Sequence, residues 1–269
     1  MLRGRVVLGI CAGVLLAGAL RCVDGQTTAT VQPMATGAHP SIEVATVKRS
    51  DPADQMHRFT TEGHRIFIEN QTVKMMIQMS YGVHARQIVN APPWIETERF
   101  DIQALPDVEG QPDVLQSKEM VRKLLAERFG LKFRTEKREM ARYTLTVAKG
   151  GTKIEPTKGT PDGLPRVNGN GTRTSMSLQM RNVSMGDVAE ELQGALDRPV
   201  VDETGLKGRY DFTLKWLRAD AVPTAGDDAD GALPGIFTAL QEQAGLKVEP
   251  SKGDVDVLVI EHIERPEAN

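Results

Sequence analysis

Two carboxylates in matched settings are the first residues whose type and placement suggest chemistry: Asp101 in Phe100-Asp101-Ile102 and Asp211 in Tyr210-Asp211-Phe212. Held within reach of one another, two carboxylates can do general acid–base work on a substrate. Residues that recur at one place in two copies of a unit more simply serve the unit, by capping a turn or meeting a backbone N–H. His57, His64 and His84 share a region, but paired ligands on a helix need a spacing of about four residues. His57 and His64 are seven apart, and the plainer expectation is that all three histidines lie at the surface. H-E-x-x-H and G-x-S-x-G do not occur, and Gly169 and Gly171 in NGNG lack the Lys-Ser/Thr of a phosphate loop. That stretch is predicted to be a turn. No catalytic residue, metal ligand or cofactor is assigned.

Two loops are candidates for partner contact. Trp94, after Pro92-Pro93, is either an exposed anchor or a lid on the core. Asp202, Glu203 and Thr204, in RPVVDETGLKG, either meet a ligand or form an ordinary Asx turn.

The elements that must position these groups are written twice. Asn70 answers to Asn182, Asp101 to Asp211 and Gly130 to Gly245, at spacings of about 110 to 115 residues, the mark of one supersecondary unit used twice. In the first copy Ile42–Lys48 and Arg65–Glu69 read as strands. Thr72 opens a helix carrying Val73, Met76, Ile77 and Tyr81, which Gly82 ends. Ser117 is the expected N-cap of a second helix through Met120, Leu124, Leu125 and Phe129. Leu131–Arg134 and Tyr143–Ala148 are expected to pair as a hairpin. In the second copy Ser184 caps a helix with a stripe from Met185 through Leu192 to Leu196. GRYDFTLKW is a strand with Tyr210, Phe212 and Leu214 on one face. Pro234 opens a helix with Ile236, Phe237, Leu240 and Ala244 facing the core. Leu246–Glu249 and Val255–Glu261 form a second expected hairpin.

The fold class is therefore α+β: two tandem β-α-β-α-β-β repeats, with mixed sheets and two helices packed on one face of each. The expected organisation is a signal peptide over 1–25, a flexible tether over 26–40, repeats over 41–149 and 172–269, and a linker over 150–171. Residues 219–233 form a second polar insertion.

Arg3 and Arg5 precede an apolar run from Val6 to Leu20 and then small residues, the three-part pattern of a secretory signal. Export to the periplasm or the medium is expected. Both cysteines lie in that segment, so cleavage after Gly25 leaves no thiol for disulfides or metal binding. No stable membrane span is expected after cleavage. The net charge of −3 hides a basic stretch, nine Lys or Arg against four Glu between Lys118 and Arg142. It lacks interleaved aromatics for base stacking, so no nucleic-acid partner is expected.

PPWIETERFDIQA, LLAERFGLKF, RPVVDETGLKGRYDFTLKW and IFTALQEQAGLKVEPSKGDVDVLVIEHIERPEAN resemble the acidobacterial soil-associated family of secreted proteins, known by a domain of unknown function. The resemblance runs from about Ser41 to the C-terminus and supplies no catalytic residues. The second repeat alone is similar to the small N-terminal domain shared by secretins and TonB-dependent receptors, which implies a periplasmic contact or signalling module. The functional expectation is an exported, non-enzymatic binding module of the envelope. It would meet an unknown protein or small-molecule partner through sheet edges or the cleft between repeats. An envelope sensor and, third, an exported hydrolase using Asp101 and Asp211 are the alternatives.

Overall fold

In the computed structural model, residues 32–54, 56–160, 163–219 and 233–267 are described. The signal segment and most of the 219–233 insertion lie outside the described residues. The first repeat runs β1 (Ile42–Arg49), β2 (Arg58–Glu62), β3 (Arg65–Thr72), α1 (Val73–Tyr81), β4 (Ile88–Val89), α2 (Trp94–Thr97), β5 (Arg99–Pro106), α3 (Val114–Arg128) and β6 (Lys132–Val147). The second runs β7 (Glu155–Pro156), β8 (Arg166–Gly171), β9 (Ser175–Val183), α4 (Met185–Gln193), β10 (Val200–Asp202), β11 (Tyr210–Leu217), α5 (Ile236–Ala239) and β12 (Leu246–His262). The protein is α+β, and the duplication is visible in its sheets. One outer sheet has the order β1-β5-β3-β2 and the other the matching order β7-β11-β9-β8.

Between them lies a mixed sheet of order β10-β6-β12-β4, to which both repeats contribute. Here the expected hairpins are corrected. Neither repeat folds its last segment back on itself; β6 and β12 are each one long strand, and they pair antiparallel with each other along their whole length. Glu139 and Asp254 are repeat mates and also paired partners, so a local two-fold axis runs between them. The polar centres of both strands, which read as turns, are the exposed waist of this ribbon. Cross-strand pairs such as Lys252–Glu139 at 2.6 Å and Lys137–Asp256 at 3.8 Å lie there.

The ribbon exchanges material between the repeats. Strand β4 of the first pairs parallel with β12 of the second, Ile88 opposite Leu258. In mirror fashion β10 pairs with β6, Val200 opposite Tyr143. The first repeat's core thus takes in Leu258 and Ile260, while the second's takes in Tyr143 and Leu145. Each fully buried side chain of this size contributes roughly 1.5–3 kcal/mol.

Local signals explain most boundaries. Thr72 caps α1 by accepting the Met75 N–H at 3.2 Å, and Gly82 closes it at φ 66°. Ser184 and Asp187 form the capping box of α4. Helix α3 begins a turn earlier than expected: Asp113, not Ser117, is its N-cap, accepting the N–H groups of Leu115 and Gln116 at 2.8 Å. Gly235, not Pro234, precedes α5, which widens into a π turn over Leu240–Ala244. Phe237, expected to face the core, is exposed and tilted against Tyr143. NGNG is not a turn but the end of edge strand β8, paired with β9. Residues 33–40, expected as tether, lie along α3: Met34 is buried, and Gln116 donates to the Ala35 and Ala38 carbonyls. Among the described residues no helix is long and apolar enough to cross a membrane.

Candidate functional site

The matched aspartates hold the same local structure in both repeats. Asn70 and Asn182 adopt the left-handed conformation, φ 52° and 54°, at irregularities in β3 and β9. Asn70 donates its N–H to Asp101 at 2.9 Å, and Asn182 donates to Asp211 at 2.8 Å. The Asn carbonyls accept from Arg99 at 3.0 Å and Arg209 at 2.7 Å, and the Asn amides reach the carbonyls of Asp54 and Gly163. A residue at positive φ needs such anchoring when it is not glycine. Burial raises the Asp101 carboxyl, but the Ser50 hydroxyl, the Asn70 N–H and Lys48 together hold it below its ordinary value. Asp211 is lowered chiefly by the Asn182 N–H. The two carboxylates stand in different outer sheets and are not brought together.

The histidines also separate. His57 is exposed and its Nδ1 lies 2.6 Å from the Asn70 carbonyl, beside Arg99. With Arg49, Asp51 and Glu98 it borders a polar cavity of about 380 Å³. His64 is exposed. His84 corrects the surface expectation: it is buried, and its Nδ1 accepts the Arg86 N–H at 3.1 Å. Its pKa is lowered, first by burial and then by Arg86, against opposing contributions from the Leu196 backbone and Asp197.

The two candidate contact loops lie at opposite edges of the central sheet, one after β4 and one after β10. Trp94 is half-buried, with the Arg265 guanidinium 5.2 Å from its ring centroid. Arg265 also donates to Glu98 at 2.8 Å. Asp202 accepts the Thr204 N–H at 2.9 Å and its hydroxyl at 2.7 Å, an Asx turn. Glu203 pairs with Arg142 at 2.6 Å.

A groove that the sequence did not flag runs along the junction of the repeats. One cavity of about 480 Å³ lies between the start of α3 (Val114, Leu115, Lys118), the entry and first half of β8 (Leu164 to Asn168) and α4 (Asp187, Glu190, Glu191). A second, of about 470 Å³, continues along α1 past Met75, Met79 and Gly82. Lys118 forms an ion pair with Glu190 across the junction. Gln193 donates to the Gly82 carbonyl at 3.2 Å. The approach is so close that a Cβ on Gly82 would stand 2.6 Å from the Glu190 carboxylate. Val114, Leu115 and Leu164, exposed by 43%, 53% and 40%, are three of six large hydrophobics left exposed among the described residues. Glu191 has its pKa raised, first by burial and then by the charge of Glu190.

Two cues in the sequence could have pointed here. Val114-Leu115 is an apolar pair that does not belong to the Met120–Leu124 stripe, and Leu164 is a large apolar residue in an otherwise Gly-, Pro- and Thr-rich stretch.

The model of one family, a protein of unknown function (DUF3738), matches residues 74–263. The chain belongs to that family. The match spans α1 to the end of β12, so the DUF3738 region takes in both copies of the helix–strand unit and the ribbon that joins them. No curated protein and no solved structure matches the chain.

Proposed function

We propose that this DUF3738 protein is a non-enzymatic binding module whose partner seats in the groove between the repeats. One observation carries the reading: Val114, Leu115 and Leu164 expose apolar surface into one groove that both repeats build. Exposed apolar surface gathered in a concave, polar-rimmed site marks an interaction surface. The charged aspartates that an acid–base mechanism would need are committed to backbone N–H groups in separate sheets, which favours binding over hydrolysis.

The proposal extends to place. The basic and apolar pattern of residues 3–20 supports export to the periplasm or the medium. The likeness to secreted acidobacterial proteins, and that of the second repeat to the N-terminal modules of secretins and TonB-dependent receptors, support a contact role at the envelope. Selection from a displayed random peptide library against residues 26–269 tests the reading. Binders recovered with the native protein should be lost with Leu115→Lys and Leu164→Lys variants that still melt normally. Recovery of no binder, or of binders indifferent to both substitutions, would remove the groove as the site.

A further inference from the structure

We propose that the occupant of this groove is an extended segment of a partner protein, alternating apolar and basic residues, which adds as a strand to the outer edge of β8 and sets a Lys or Arg side chain against Glu191. This rests on the binding-module reading and gives it a chemistry.

Among the described residues, strand β8 pairs with β9 on one side and with no strand on the other, leaving a row of backbone N–H and C=O groups along that edge. Natural edges are blunted by proline, a bulge or inward charge. Arg166-Val167-Asn168-Gly169-Asn170-Gly171 has no proline and a regular register with β9, and all but the half-buried Val167 are exposed. An added strand takes its affinity from main-chain hydrogen bonds and its specificity from pockets for alternate side chains. Val114, Leu115 and Leu164 supply apolar contacts beside that edge.

The charge around the groove selects the other side chains. Asp113, Asp187, Glu190 and Glu191 line it against Lys118 and Arg166. Asp113 is occupied as the cap of α3, Asp187 as the cap of α4, and Glu190 by Lys118. The Glu191 carboxylate has no hydrogen-bond or ion-pair partner among the described residues, yet the residue borders the groove on both its α1 and β8 sides. A half-buried carboxylate without a partner is stabilised by an incoming cation.

The test uses three synthetic heptapeptides with blocked ends: alternating Lys and Val, alternating Glu and Val, and the Lys–Val peptide N-methylated at alternate residues. Affinities are measured by calorimetry, and exchange at residues 166–171 by hydrogen–deuterium exchange. The Lys–Val peptide should bind and slow amide exchange along β8. The Glu–Val peptide should bind at least about tenfold more weakly, since like charge opposes it. The N-methylated peptide, deprived of main-chain donors, should also lose about tenfold. Glu191→Gln, with a melting temperature no lower than the native protein's, should weaken the Lys–Val peptide about five- to tenfold. Equal binding of the Glu–Val or N-methylated peptide, failure of the Lys–Val peptide, or indifference to Glu191→Gln overturns the proposal. So does a concentration-dependent dimer with protected β8 amides, which gives the edge to a second copy. Library binders that depend on the groove but lack basic or extended character would overturn this inference and leave the binding-module reading standing.

Discussion

The Asn182 N–H, held at φ 54°, is donated to the Asp211 carboxylate at 2.8 Å, and the same bond joins Asn70 to Asp101 at 2.9 Å. The recurrence of the two aspartates therefore has a local cause: each anchors a left-handed residue where an outer strand hands over to a helix. Asp101→Asn and Asp211→Asn keep an acceptor of the same size but lose the charge. Each is expected to lower stability by about 1 kcal/mol, the difference between charged and neutral hydrogen bonds. Urea denaturation checks this, and unchanged midpoints in both variants would detach the aspartates from the strand–helix junction.

The core under α4 gives a larger effect. Leu192 is fully buried with Val188, Met185 and Met180. Leu192→Ala is expected to cost about 2–5 kcal/mol, as buried Leu-to-Ala changes do. A shift in the denaturation midpoint below about 1 kcal/mol would contradict the packing of the stripe.

Much of this was legible in the chain because the signals were local. Thr72, Gly82, Ser184 and Gly245 mark helix ends by side-chain capping or by left-handed backbone, and the spacing of Asn70, Asp101 and Gly130 from their mates exposed the duplication. What was not legible depends on partners distant in sequence. The polar waists of β6 and β12 look like turns until each strand has the other to pair with. Asn168 to Gly171 becomes a strand because β9 is beside it. The groove draws on α3, α4 and the entry and first half of β8, so no single window of sequence contains it.

His84 makes stability depend on pH. Its pKa is held below the ordinary 6.5, first by burial, so the folded state favours the neutral ring. The stabilisation is complete above 6.5 and is lost as pH falls through the lowered folded value. Arg86, Asp197 and Lys74 are the charged groups that act on it. Protonation would also remove the acceptor for the Arg86 N–H. The urea midpoint of the native protein should therefore fall between pH 7.5 and pH 5. His84→Asn, which retains an acceptor at the cap but does not titrate, should flatten that slope. An unchanged slope would place the responsible proton elsewhere.

The exchanged ribbon makes the strongest demand on folding. Strand β12 belongs to the second repeat by sequence, yet Leu258 and Ile260 are part of the first repeat's core and β4 pairs with it. In turn Tyr143 and Leu145 of β6 complete the second core. Neither repeat can lose its structure without opening the other, so the two should unfold as one cooperative unit. The protein has two tryptophans, Trp94 in the first repeat and Trp216 buried in the second. Trp94→Phe and Trp216→Phe leave one reporter in each half. Fluorescence transitions in urea should coincide with each other when compared with circular dichroism on the same variant. Ile260→Ala, introduced into both backgrounds, creates a cavity in the first core from a strand of the second repeat. It should lower the stability seen by either tryptophan by the same amount, about 2–5 kcal/mol for a buried Ile-to-Ala change. A shift confined to Trp94, with Trp216 unmoved, would mean that the repeats unfold separately and that the ribbon does not couple them.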